Sequence, residues 1–95
     1  MKLYLIRQDI VNDFDTYDSA VVAAESPEDA RKIHPSKFVT HITNDMWHGT
    51  YVGGGEYENE SSGWVKYSDI GQVQTEYLGE TEIYRGVVLA SFNAG

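Results

Sequence analysis

The one clear helix signal in this chain is closed off at both ends, and this constrains the fold more than any other feature. Ser26-Pro27-Glu28-Asp29 reads as a helix start. The Ser26 hydroxyl caps a free amide, Pro27 suits the first helical position, and the two carboxylates complement the positive end of the dipole. Pro35 disfavours helical geometry at His34, so the helix is expected from Pro27 to about Ile33 and no further. Ala30 and Ile33, three apart, would face inward, leaving Glu28, Arg31 and Lys32 in water.

The other apolar residues come in strand-like runs. Lys2 to Gln8 contains the unbroken stretch Leu3-Tyr4-Leu5-Ile6, and Gly86 to Phe92 is apolar throughout. Continuous runs of this kind are expected of strands covered on both faces, which places Gly86 to Phe92 at the centre of a sheet. Asp9 to Asp18 is rich in Asp and Asn and reads as a loop. Ser19 to Ala24 is a strand of small side chains that would let a helix pack close, and Val73 to Leu78 alternates like a strand with one wet face.

The expected fold class is therefore α+β, as one domain over residues 1–95. Its order is ββαββ: a mostly antiparallel four-stranded sheet, one short helix packed on it, and a long irregular middle region over 36–63. A helix of about seven residues cannot cover four strands. The uncovered face is expected to be closed by the region from Phe38 to Trp64 or by a second copy of the chain, so a homodimer is one expectation.

Composition removes whole classes of chemistry. The chain has no cysteine, which excludes disulfides, thiolate metal sites and thiol nucleophiles and suits a reducing compartment. The opening Met-Lys-Leu-Tyr-Leu-Ile is interrupted by Arg7 and Gln8, too early for a signal peptide or a membrane span, so the cytoplasm is the expected location. A net charge of -8 opposes direct nucleic-acid binding and attachment to anionic membranes. The charge is uneven: Glu56, Glu58, Glu60, Asp69, Glu76, Glu80 and Glu82 face one base, Lys66, between Glu56 and Tyr84. Such a stretch serves solubility, or forms an acidic face for a partner with a basic surface.

Candidate metal ligands fall into two groups. Asp9, Asn12, Asp13, Asp15 and Asp18 offer hard oxygen donors, but counting an EF-hand from Asp13 puts Asp18 where Gly is needed and Ala24 where Glu is needed. Turn-forming side chains explain the same composition. His34, His41 and His48 follow no zinc-site spacing, and His34 reads as a cation at the helix C-terminus. Asp13, Asp15, Asp18, His41 and His48 remain as weak metal candidates. His41 and His48 could serve as acid and base if the fold brings them together.

No nucleophile elbow surrounds any serine, and Gly53-Gly54-Gly55 lacks the Lys-Ser/Thr of a phosphate-binding loop. No cofactor is implied, and a non-enzymatic role is expected. Seven Tyr and two Trp are many for this length, and Trp47, Tyr51, Tyr57, Trp64 and Tyr67 gather around a glycine-rich stretch read as a surface loop. Trp47 and Trp64 read as side chains folding back onto the open face of the sheet. Tyr51 and Tyr57, with Glu56, Glu58 and Glu60, are the candidate contacts for a protein partner. A small-molecule or divalent-metal-binding domain is the alternative.

Three segments, Asp15-Thr16-Tyr17-Asp18-Ser19-Ala20-Val21-Val22, Ala30-Arg31-Lys32-Ile33-His34-Pro35 and Gly86 to Gly95, resemble those of short phage and prophage proteins of unassigned function. The resemblance covers both ends of the chain and carries no catalytic residue. It implies an accessory product that binds and modulates a host or defence protein. It also marks the Asp15-to-Ser19 turn and the segment Ser91 to Gly95 as one surface, if their strands are neighbours.

Overall fold

The computed structural model describes residues 1–11, 16–36, 38–50, 56–59 and 63–93, with the backbone alone at 50, 56–59, 92 and 93. The order is β1 (Lys2–Arg7), β2 (Thr16–Ala24), α1 (Pro27–Ala30), β3 (Val39–Thr43), β4 (Met46–Thr50), β5 (Glu56–Asn59), a 3₁₀ helix (Tyr67–Gln72), β6 (Gln74–Glu80) and β7 (Gly86–Asn93). The class is α+β. The four strands expected from the sequence form an antiparallel sheet in the order β6-β1-β2-β7.

The region read as irregular holds a second antiparallel sheet, β3-β4-β5. Its first hairpin turns on Asn44 and Asp45, whose φ values of 52° and 57° lie in the left-handed region. Asn and Asp tolerate that region best among residues with a Cβ, and two such residues in succession make the tight turn that matches strand twist. Asn-Asp between Thr43 and Met46 was thus a hairpin signal, hidden because the flanking strands are short and polar. The expected loop after Gly55 is also in part a strand, since Glu56–Asn59 pairs with β4.

The helix is shorter than its sequence window. Ser26 Oγ accepts the Asp29 amide at 3.1 Å, as expected of the cap, but helical geometry ends at Ala30 and tighter hydrogen bonds carry the chain to Ile33. Ala30 and Ile33 are buried as anticipated, while Glu28 and Lys32 are exposed. Arg31 is half-buried because its Nε donates to the Val73 carbonyl at 3.0 Å. β2 begins earlier than expected, at Thr16. The preceding turn is pinned by buried Gln8, which donates to Val11 and Tyr17 carbonyls and accepts from the Ile10 and Val11 amides.

A single core forms on one face of the four-stranded sheet. Tyr4, Ile6, Ala20, Val22 and Ala24 supply the sheet side, alternate residues pointing the same way. Ala30 and Ile33 come from the helix region, and Trp47, Trp64 and Val65 from the middle of the chain. Trp47 and Trp64 are therefore core, but they lie on the face that the helix already covers. Both candidate covers share one side, and among the described residues no second layer packs on the other, where Leu5, Ser19 and Val21 stay partly exposed.

One expectation is reversed. Among the described residues β7 pairs with β2 alone and forms an edge of the sheet, not its centre. β2, with β1 on one side, has room for one more neighbour and takes β7. The apolar run from Gly86 to Ser91 consequently keeps exposed side chains.

Candidate functional site

The open face of the four-stranded sheet is built from its register. Leu5 lies opposite Glu76 on one side and Val21 on the other, and Val21 lies opposite Leu89. Directly opposed residues share a face, so Glu76, Leu5, Val21 and Leu89 form one row across all four strands. The next row includes Arg7, Ser19 and Ser91. Leu5, Ser19, Val21, Leu89 and Ser91 line a shallow hollow of about 380 Å³ on this face.

The row ends at an edge with little protection. Val87, Val88 and Leu89 expose 37%, 43% and 67% of their surface, and no residue between Gly86 and Asn93 carries a charge. A free edge normally bears charges, a proline or strong distortion against pairing with other chains. β6, the opposite edge, has Glu76 and Glu80 and a bulge against β1. β7 has a bulge at Val88, but Leu89 to Ser91 pairs regularly with β2 and leaves its outer side unpaired among the described residues. A run read as buried by pattern is in fact half in water. The sequence signal was present, but periodicity alone does not say whether an apolar run is central or at an edge.

The two segments singled out by resemblance are neighbours: Thr16 lies opposite Asn93, Tyr17 opposite Phe92 and Ser19 opposite Ser91. They belong to the same end of the β2–β7 pair.

The histidines separate into two environments. His34 is not the helix-terminal cation expected. It is 4% exposed, Tyr17 and Trp47 stand edge-on to its ring, and burial pushes its pKa down to about 3. Its Nδ1 accepts the Ser36 amide at 2.9 Å, so the neutral ring carries its proton on Nε2. That nitrogen is buried with no hydrogen-bond partner among the described residues.

His41 and His48 are brought together. They lie opposite one another across β3 and β4, with rings stacked at a centroid distance of 5.5 Å and an angle of 17°. Thr40 Oγ1 bonds the His41 Nδ1 at 3.0 Å, while His48 Nε2 is buried with no hydrogen-bond partner among the described residues. The register sets Glu58 opposite His48, so His41, His48 and Glu58 hold consecutive positions of one cross-strand row. The seven-residue spacing of the histidines is the span of a hairpin, a signal legible only once the turn at Asn44-Asp45 is known.

Among the described residues no group of three His, Asp or Glu side chains is arranged to hold a metal ion. Asp18 lies in strand β2 and is exposed, not in the loop where a carboxylate cluster was expected. Asp13, Asp15, Tyr51 and Glu60 fall outside the described residues, as do the side chains of Glu56, Tyr57 and Glu58, whose backbone forms β5. No described helix is long and apolar enough to cross a membrane.

Comparison of the chain with protein-family models, curated proteins and solved structures finds no match among them.

Proposed function

We propose that this protein is a non-enzymatic interaction module whose contact surface is the outer edge of β7 with the adjoining open face of the sheet. The observation that carries this reading is the uncharged, apolar strand Gly86–Asn93 lying at an edge with Leu89 two-thirds exposed. Such an edge offers main-chain donors and acceptors for an added strand, and the hollow beside Leu5 and Val21 offers a place for alternate side chains. The occupant is an extended apolar segment of a protein partner. Exposed Glu76 ends the row of Leu5, Val21 and Leu89 at the far edge of the sheet, which favours a basic residue where the partner reaches across the open face. The resemblance to phage and prophage products supports a host or defence protein in the cytoplasm as that partner, with a second copy of this chain as the simplest variant.

A photo-crosslinking residue placed at Leu89 in cells producing the protein tests this. A discrete protein adduct is expected from position 89 and none from exposed Ser68 on the 3₁₀ helix. Equal labelling at both positions, or none, overturns the reading.

The His41–His48 pair favours a second reading, a divalent-cation site in the row that Glu58 continues. Imidazole nitrogens suit zinc, copper or nickel. Titration with zinc, followed by the imidazole proton resonances, should move both rings together and saturate at one equivalent per chain (about 1:1). Absence of saturable shifts removes it.

A further inference from the structure

A second hollow, distinct from the open sheet face, lies between the two sheets. It occupies about 340 Å³, within the range of small-ligand sites. Its walls are the segment after the helix, the free edge of β3 and the start of β7. Ile33, Val39, Ile42, Trp47 and Val87 make the apolar part.

Among the described residues, the charged groups on the hollow's wall are Lys32 and Arg85, joined by the imidazoles of His34 and His41 and the hydroxyls of Ser36 and Thr40, and no Asp or Glu lines it. The chain has fifteen carboxylates against seven Lys and Arg, so a carboxylate-free wall is the opposite of what its composition favours. The net charge of the molecule repels anions, and Lys32 and Arg85 oppose that field at this hollow.

The walls are held before any ligand arrives. Asp29 accepts from Arg85 Nε at 2.9 and 3.0 Å and pairs with Nη2 at 2.8 Å. This fixes the guanidinium, neutralises part of its charge and leaves Nη1 without a partner among the described residues. The Arg85 hydrogen bond holds the Asp29 carboxyl below its usual range, so the pair persists at neutral pH. Trp47 is fixed by its bond to the Val65 carbonyl at 2.9 Å, His34 by the Ser36 amide, and His41 by Thr40. Lys32 is exposed and makes no ion pair among the described residues. Pre-ordering of this kind lowers the entropic cost of binding.

We propose that this hollow binds a small molecule with an oxyanion head and a flat apolar body. Lys32 and the free end of Arg85 meet the head, and the more exposed apolar lining residues Val39, Ile42 and Val87 meet the body. The head is a carboxylate or a phosphate, since both suit a guanidinium and an ammonium. The hollow shares Gly86 and Val87 with the start of β7, but Lys32 lies outside the interaction surface proposed there, so a change at Lys32 tests this inference separately.

The test uses benzoate, phenyl phosphate and the neutral benzyl alcohol as probes, with amide and indole shifts read by NMR on the intact chain. Saturable shifts at 32–36, 39–42, 85–87 and the Trp47 indole are expected with an acidic probe at millimolar concentration. The stronger of the two acids identifies the head group. Lys32→Glu should weaken binding about tenfold or more, while Arg7→Glu, the same charge change on the open sheet face, should leave it within about twofold. Benzyl alcohol binding as well as the acids, equal effects of the two variants, or shifts absent from these segments would overturn the proposal.

Discussion

The indole of Trp47 donates a 2.9 Å hydrogen bond to the carbonyl oxygen of Val65, joining the small sheet to the segment that crosses back to the large one. Trp47 is 1% exposed, and Tyr67 stands edge-on to it at 5.4 Å. Trp47→Phe keeps an aromatic ring but strands a buried carbonyl and leaves a void. A loss of about 2–4 kcal/mol is expected from the two effects together. Urea unfolding followed by far-UV circular dichroism checks it.

Burial of His34 predicts an acid sensitivity of definite sign. The folded ring takes its proton only near pH 3, whereas the unfolded one does so near 6.5. Between these values the unfolded state binds more protons, so the stability that His34 contributes is complete above pH 6.5 and is lost as pH falls. The slope should approach about 1.4 kcal/mol per pH unit. Unfolding curves at pH 7, 6 and 5 (roughly the range above carboxylate titration) measure it. His34→Asn, which keeps an acceptor for the Ser36 amide, should flatten the slope in that range.

Gly49 allows the closest backbone approach in the small sheet. A Cβ placed there would fall onto the carbonyl of Phe38, a backbone atom with no freedom to move aside. Gly49→Ala should therefore open the β3–β4 pair, at a cost of about 3 kcal/mol or more. The His41 and His48 ring resonances report the same event, since their stacking depends on that register.

Leu89 separates folding from association. It is 67% exposed, so Leu89→Lys should leave stability within about 0.5 kcal/mol of the parent. The same change puts a charge on the free edge and should abolish the adduct formed by a photo-crosslinker at neighbouring Val88. Thermal unfolding and crosslinking on one preparation give both readouts. An unchanged adduct counts against the β7 surface.

Much of the large sheet was legible because its strands are apolar runs bounded by turn-formers. The Ser26 cap and the inward pair Ala30 and Ile33 were legible for the same reason, since local chemistry and periodicity specify them. The candidate sites were less so. His41 and His48 meet only because Asn44 and Asp45 reverse the chain, and Lys32 and Arg85 line one hollow only because Asp29 of α1 pairs with Arg85 just before β7. Both relations depend on long-range pairing that no local pattern contains.

Local rules acting within a few residues thus determine the α+β class, the four strands of the main sheet and the early end of its helix. Tertiary structure decides which face is covered and which strand lies at the edge. Helix and tryptophans compete for one hydrophobic surface, and burying both on that side leaves Leu5, Val21 and Leu89 on the other. That outcome follows from the summed burial of the whole chain. Residues at 86–92 have the sequence of a central strand, and only strand order makes them a surface.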